Sequence, residues 1–219
     1  MVLNVIKYPN LILTQKSQKA LFNKELETLV QNMLDTTNSF KDPVAAGLSA
    51  IQVGVPVRVL IARDFISNGE GIPQQLAERA VRSGTRDANA AEPVHYGPTV
   101  DYILVNPKII SLSKEKDLDW EGCLSFPDLY GKVWRAKKVK LKHQNIQGDE
   151  QRLTTGGFLA RVIQHEMDHL DGITFNTKVV GKLLKSDEVD GVPQPSWSGS
   201  RISPPTPAKV CGTPATLRI

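Results

Sequence analysis

The residues best suited to chemistry lie at 164–172, QHEMDHLDG, where His165, Glu166 and His169 form the pattern His-Glu-x-x-His. A step of four residues rotates a helix by about 40°, so the two histidines share a face and both imidazoles can bind one metal ion. Glu166 lies about 100° further round, where its carboxylate can reach a water molecule beside the ion without being a ligand. The pattern predicts a metal-dependent hydrolase whose third protein ligand lies elsewhere.

Candidates for the third ligand are few. Downstream of the motif there is no histidine, and Glu188 is the only glutamate, so a zincin-type peptidase site has weak support. His95 and His143 have no suggestive neighbours. Cys123, in the segment WEGCLSFPDLYG, is the better candidate, because a cysteine thiolate binds divalent iron or zinc strongly. The alternative for a lone cysteine is a small buried hydrophobic residue.

Two helices are predicted from the spacing of apolar residues. Residues 24–38 form an amphipathic helix with Asn23 as its N-cap, and residues 157–171 form a stronger one that stops at Gly172. The helical repeat of the second consists of Phe158, Leu159, Val162, Ile163, Met167 and Leu170. The metal-binding motif therefore lies on a predicted helix.

Strands are predicted at 57–62, at 101–110 with an interruption at Asn106-Pro107, and at 136–142. In the last of these, Val139 and Leu141 face inward, and the lysines that alternate with them face outward. The lysine row could face RNA or the ribosome. Alternation alone gives a solvated strand face, and we favour that interpretation.

Composition and length indicate one globular domain. The chain has 219 residues, of which 40% are hydrophobic and 23% charged, and its net charge of +4 is too small to argue for nucleic-acid binding. No apolar run suggests a signal peptide or a membrane span. We therefore expect a cytoplasmic protein, or one from an organelle stroma or matrix if a targeting peptide has been removed. Its two cysteines, Cys123 and Cys211, are not expected to pair in a reducing compartment.

The predicted domain covers residues 1–186. Within it, residues 67–99 are polar and bounded by Gly, Pro and Ser, which predicts a surface insertion with a short helix at 74–82. Residues 187–219 are rich in Pro, Ser, Gly and Thr, and we expect a disordered tail.

Three separated motifs resemble those of the peptide deformylases. They are EGCLS at 121–125, QHEMDHLDG at 164–172, and AAGLSAIQ at 45–52, which follows the family pattern G-Φ-G-Φ-A-A-x-Q, where Φ is apolar. Ala45 replaces a glycine of that pattern, and Ser49 replaces an alanine. The resemblance covers roughly residues 3–180 apart from the insertion.

The resemblance implies an α+β fold, with antiparallel strands packed around a central metal-binding helix. It also implies an activity, the removal of the N-formyl group from the N-terminal methionine of newly synthesised polypeptides with release of formate. The expected partners are the formyl-Met nascent peptide and, transiently, the ribosome, with neither a direct nucleic-acid motif nor a membrane. The expected cofactor is one divalent metal ion, Fe²⁺ first, with Zn²⁺, Ni²⁺ or Co²⁺ as substitutes.

Roles for individual residues follow from the same resemblance. The implied metal ligands are Cys123, His165 and His169. Glu166 would act as general base and then general acid. The Gln52 side-chain amide and the Leu124 backbone N–H would stabilise the oxyanion that forms during attack on the formyl carbon.

Further positions concern the substrate and the support of the metal ligands. The implied substrate-binding residues are Gly47, Leu48 and Val162, with Leu124 also in the apolar methionine pocket. Glu121 and Arg135 match a charged pair that supports the segment around Cys123. Arg161 stands where the family carries an apolar pocket residue, and it would either turn outward or contact the nascent peptide.

Two other functions stay open at this point. A zincin-like endopeptidase would cleave internal peptide bonds without depending on Cys123. A catalytically weak relative would bind formylated or acetylated N-termini, which the replacements at Ala45 and Ser49 allow, although Glu166 and Gln52 are intact.

Overall fold

The computed structural model describes residues 1–41, 44–65 and 99–189. Nearly all of the predicted insertion at 67–99, including its helix at 74–82, lies outside these residues, as does most of the predicted tail at 187–219. None of the helices in the described ranges is long and apolar enough to cross a membrane.

The described residues form two antiparallel sheets and two α-helices, which agrees with the expected α+β class. The first sheet has the strand order β1-β2-β3-β6-β7, and the second has the order β4-β5-β8. The elements in chain order are α1 (Lys24–Ser39), β1 (Gly47–Ser49), β2 (Val59–Phe65), β3 (Thr99–Leu112), β4 (Lys116–Cys123), β5 (Phe126–Ala136), β6 (Lys138–Gln144), β7 (Glu150–Gly156), α2 (Gly157–Leu170) and β8 (Val179–Lys185).

Helix α1 begins and packs as the sequence predicts. The Asn23 side chain accepts a hydrogen bond from the Leu26 backbone N–H, which satisfies one of the free donors of the first turn. Its apolar face buries Leu26, Val30 and Met33 in one cluster with side chains of β1 and β2. Each fully buried aliphatic side chain of this kind stabilises the fold by about 1.5–3 kcal/mol.

Helix α2 contacts strands of both sheets, and 11 of its 14 residues are buried. One side packs with Leu60, Leu104 and Leu141 of the first sheet. On the other side, the Gln164 amide accepts from the backbone N–H and donates to the carbonyl of Ala136 in β5, at 3.0 and 2.9 Å. The helix is therefore fixed to both sheets and ends at Leu170, before Gly172 in the left-handed region.

The predicted strands are present with shifted limits. The interruption of β3 is confirmed, because the strand register shifts between Val105 and Lys108, and Asn106 has a φ of 50°. The inward positions of β6, Val139 and Leu141, are fully buried as predicted, and its three lysines are exposed. Strands β4, β5 and β8, which form the second sheet, were not predicted.

A comparison of two glycines tests the packing at the end of α2. At Gly172, with a φ of 74°, a Cβ would lie 2.5 Å from the backbone oxygen of Thr14. At Gly181, with a φ of 87°, no atom of the described residues would lie within 4 Å of a Cβ. Either change to alanine should cost about 1 kcal/mol for the left-handed backbone. Only Gly172→Ala adds a clash with backbone, so we expect it to lower the free energy of unfolding by about 2 kcal/mol more. Urea unfolding of both variants measures this difference, and equal losses would contradict it.

Candidate metal centre

Three side chains that can bind a metal ion converge beside α2. The Cys123 Sγ and one ring nitrogen each of His165 and His169 lie within 4.8 Å of one another. Strand β4 ends at Cys123, whose sulfur lies 3.2 Å from the His169 Nε2. Helix α2 supplies the two histidines, whose rings meet edge to face with centroids 5.0 Å apart. The structure thus brings together the three residues that the sequence singled out.

The chemistry of this donor set fits a divalent transition metal. One thiolate and two imidazoles suit Fe²⁺ or Zn²⁺ better than Mg²⁺ or Ca²⁺, which prefer oxygen ligands. The His165 Nδ1 lies 2.9 Å from the Glu121 Oε2. A neutral His165 that donates through Nδ1 keeps Nε2 as the free ligand atom, and such a carboxylate–histidine pair fixes the ring orientation.

The two histidines differ in their affinity for a proton. Burial lowers the pKa of His165, but hydrogen bonds with Cys123 and Glu121 outweigh burial and raise that pKa well above its usual range. Burial holds the pKa of His169 well below its usual range, and the positive charge of His165 lowers it further. The cluster therefore accommodates one positive charge next to the Cys123 sulfur, and a cation bound by the ring nitrogens would replace that proton.

Glu121 is the hub of a buried charged network. Its carboxylate accepts two hydrogen bonds from Arg135, at 2.8 and 2.9 Å, and one from the Arg161 Nη1 at 2.9 Å, besides its contact with His165. Burial raises the pKa of Glu121, but the bonds from Arg135 and His165 outweigh burial and hold the pKa well below its usual range. Arg135 also bonds to Asp168 of α2. The Glu121 carboxylate thus remains charged next to the metal ligands.

Arg161 does not turn outward, which was one of the two arrangements expected from the sequence. The side chain is buried, and its guanidinium donates to the Val133 carbonyl at 2.9 Å, to the Asp117 carbonyl at 3.0 Å and to Glu121. A buried guanidinium needs several acceptors, and strands of the second sheet provide them, so the guanidinium needs no hydrogen bond to solvent. Arg161 therefore links α2 to β4 and β5, and it also borders the cavity described below.

Glu166 is buried but is not one of the three converging ligands. Its Oε2 accepts a hydrogen bond of 2.5 Å from the Ser49 hydroxyl, and its Oε1 lies 2.6 Å from the position that a Cβ of Gly47 would occupy. Burial raises the pKa of Glu166, which brings this carboxyl group closer to the range where it can accept and return a proton at neutral pH. Gly47 therefore makes room for the carboxylate of Glu166.

The side-chain amide nitrogen of Gln52 points toward the Cys123 sulfur. The Ser49 backbone N–H donates to the Gln52 Oε1 at 2.9 Å, which directs the Nε2 toward the Ser125 hydroxyl at 3.2 Å and the Cys123 sulfur at 3.5 Å. No role for Ser125 was predicted from the sequence. Its position in the family-like segment EGCLS, two residues after the ligand cysteine, was the available signal.

A cavity of about 330 Å³ opens beside these groups. Gly47, Leu124 and Val162, which were predicted to contact the substrate, line it. Leu48 does not, which corrects that prediction. Its side chain is fully buried in the cluster with α1, because alternate residues of β1 point to opposite sides. The aromatic side chains in the cavity wall were not predicted, and they are Phe40, Phe65, Trp120, Phe126, Tyr130 and Phe158.

Comparisons with known proteins agree on one family. The sequence model of the family described as polypeptide deformylase matches residues 2–183. The chain is 36% identical to a peptide deformylase of Campylobacter jejuni, over 82% of this chain and 87% of the relative. It is 34% identical to one of Aquifex aeolicus, over 85% and 99%. Among solved structures, a class I type b peptide deformylase of Acinetobacter baumannii superposes with a TM-score of 0.62 at 31% identity, over 82% of this chain and 99% of that one.

Glu121→Gln tests how far the buried network stabilises the fold. The change removes the negative charge and leaves two buried guanidinium groups, those of Arg135 and Arg161, without it. We expect the free energy of unfolding to fall by about 3–5 kcal/mol. The matched control is Asp171→Asn, which removes the half-exposed partner of Arg58 and should cost less than about 1 kcal/mol. Denaturant unfolding at neutral pH measures both, and similar losses would contradict the role of Glu121.

Proposed function

The chain belongs to the peptide deformylase family, and we propose that Cys123, His165 and His169 bind the metal ion that its activity requires. The protein is a metal-dependent hydrolase that removes the N-formyl group from the N-terminal methionine of newly synthesised polypeptides and releases formate. The observation that carries the proposal is the convergence of one sulfur and two ring nitrogens within 4.8 Å, at a cavity that Glu166 also lines. Neither the endopeptidase nor the weak binding protein is supported.

We propose Fe²⁺ as the physiological metal, with Zn²⁺, Ni²⁺ or Co²⁺ as substitutes. A thiolate with two neutral imidazoles suits all four ions, and the low pKa of His169 keeps one of those imidazoles unprotonated. When bound, such an ion acts as a Lewis acid, polarising the formyl carbonyl and lowering the pKa of water. As part of the same proposal, α2 is the metal-binding helix around which both sheets pack.

Glu166 is the residue that moves the proton. Its Oε1 lies against Gly47 on the cavity wall, so it can take a proton from the attacking water as the new C–O bond forms at the formyl carbon. The same carboxyl group then gives the proton to the methionine nitrogen as the C–N bond breaks. One water and one formamide thus become formic acid, which ionises to formate, and a free amine, and Glu166 returns to its initial state.

Two donors stabilise the oxyanion that forms in between. The Gln52 Nε2 is held toward the metal ligands by the bond between its Oε1 and the Ser49 N–H. The backbone N–H of Leu124 is the second donor. The Lys7 Nζ donates to the Leu124 carbonyl at 2.6 Å and thereby restrains the main chain on the C-terminal side of this N–H, at the edge of the cavity. Donors fixed before the reaction lower its barrier because they need no reorganisation.

The cavity accounts for recognition of the substrate. Its volume of about 330 Å³ and its apolar wall suit a methionine side chain, which we place beside Val162 and Leu124, with Gly47 allowing close approach of the peptide backbone. Formylated chains are produced at ribosomes. We therefore propose a transient ribosome contact in the cytoplasm, or in an organelle stroma or matrix.

A formate-release assay with metal analysis tests the activity and the ligand set together. The anaerobically purified protein should bind one metal ion per chain and release formate from a formyl-Met peptide. Cys123→Ala should lose most of the metal and the turnover, because a thiolate ligand is missing. Cys211→Ala, which changes the other cysteine of the chain, is the matched control and should keep both. Metal-loaded protein that releases no formate would refute the proposal.

Glu166→Ala separates proton transfer from metal binding. Since Glu166 is not among the three ligands, we expect full metal content and a turnover number lower by about 10²–10⁴-fold. His165→Ala is the comparison variant and should lose the metal itself. Substantial loss of metal from Glu166→Ala, measured by elemental analysis after dialysis, would be inconsistent with the role proposed for this residue.

A further inference from the structure

Ser49 occupies a position that the catalytic roles above leave unexplained. It stands where the family pattern has an alanine, at the end of the short strand β1, and it is fully buried. Its hydroxyl oxygen lies 2.5 Å from the Glu166 Oε2 and 3.2 Å from the Gln52 Oε1. A hydroxyl in place of a methyl group therefore contacts both the proposed base and the proposed oxyanion donor.

Counting donors decides which contact the hydroxyl makes. A serine hydroxyl has one proton to donate, and both of its neighbours here are acceptor oxygens. The Gln52 Oε1 already accepts the Ser49 backbone N–H at 2.9 Å, whereas the carboxylate is the shorter contact and carries charge. The hydroxyl proton therefore goes to Glu166, and Ser49 serves two groups through two separate donors.

The other side of the Glu166 carboxylate is fixed by shape. A Cβ at Gly47 would lie 2.6 Å from the Oε1 and 2.9 Å from the Val162 Cγ1, so the carboxylate occupies the room that the missing side chain leaves. Gly47 and Ser49 are two residues apart on β1 and therefore face the same side of the strand. Ser49 holds the Oε2 by a hydrogen bond, and Gly47 leaves room for the Oε1 at the cavity wall.

We propose that Ser49 is a positioning residue, whose hydroxyl holds the Glu166 Oε2 so that the Oε1 takes the proton from water and returns it to the leaving amine. This proposal rests on the proposed function of Glu166 as general base. General-base catalysis depends on the geometry of the hydrogen bond to the reacting proton. A carboxylate that can rotate or shift in its pocket spends less time in the productive orientation.

Ser49→Ala is a narrow test, because it removes the hydroxyl and keeps the backbone N–H that orients Gln52. We expect kcat for a formyl-Met peptide to fall by about 10- to 100-fold, part of the 10²–10⁴-fold typical of a general base. The KM and the metal content should stay unchanged, because neither the cavity wall nor the three ligands are altered. A variant with normal metal content and the kcat of the wild type would overturn the proposal.

A double-mutant cycle shows whether the effect passes through Glu166. In a Glu166→Ala background, the further change Ser49→Ala should leave the residual rate unchanged, because the hydroxyl no longer has a carboxylate to hold. An equal fall in both backgrounds would place the effect of Ser49 elsewhere and refute the proposal. If Glu166→Ala alone leaves turnover intact, the proposed role of Glu166 fails first, and the positioning role fails with it.

Thr37→Val provides the control for loss of a buried hydroxyl. Thr37 is also fully buried, and its hydroxyl donates to the Met33 carbonyl inside α1, away from the cavity. We expect this variant to lose some thermal stability and to keep the kcat of the wild type. A fall in kcat in Thr37→Val equal to that in Ser49→Ala would mean that general destabilisation explains both, and would overturn the positioning role.

Discussion

The proposed metal centre depends on a buried negative charge, the carboxylate of Glu121. Three cationic or proton-donating groups surround it, from Arg135 on β5 and from Arg161 and His165 on α2. Burying one carboxylate without partners would cost several kcal/mol, so these elements can pack closely only when all the partners are in place. Since Cys123 follows two residues later on the same strand, the network that fixes Glu121 also fixes the distance between the sulfur and the two imidazoles.

Local periodicity explains which parts of the site could be predicted from the sequence, and buried charge explains which could not. The spacing of His165 and His169 needs only helical geometry, so the shared face could be predicted from local periodicity. Helix α1 and the alternation of β6 were predicted for the same reason. In contrast, β4 buries Glu121, and a charged residue at an inward position conceals the apolar alternation that identifies a strand. The hairpin of β4 and β5 was therefore not predicted, although Cys123 was chosen as a candidate ligand because of the chemistry of its thiolate.

The errors at Leu48 and Arg161 have a common physical origin. Leu48 was assigned to the substrate site from its place in a motif, and Arg161 was expected to turn outward or to contact the nascent peptide, but the direction of each side chain depends on tertiary packing. The pleat of β1 turns Leu48 toward α1, and the acceptors on β4 and β5 draw the guanidinium of Arg161 away from solvent. Motif position identifies which backbone segment borders a site, while the side on which a residue acts follows from its neighbours in space.

Two buried glutamates lie within this one site, and their partners give them opposite properties. Burial raises the pKa of each, but at Glu121 the bonds from Arg135 and His165 reverse the effect, whereas at Glu166 burial prevails over a single serine hydroxyl and nearby positive charge. In the mechanism that we propose, the carboxylate with the lowered pKa stays ionised and anchors His165, and the one with the raised pKa carries a proton between water and amine. The difference in pKa between the two glutamates thus follows from the number of donors around each carboxylate. Glu166 must therefore have few donors around it. Strand β1 meets this condition, because Gly47 has no side chain and Ser49 offers a single hydroxyl.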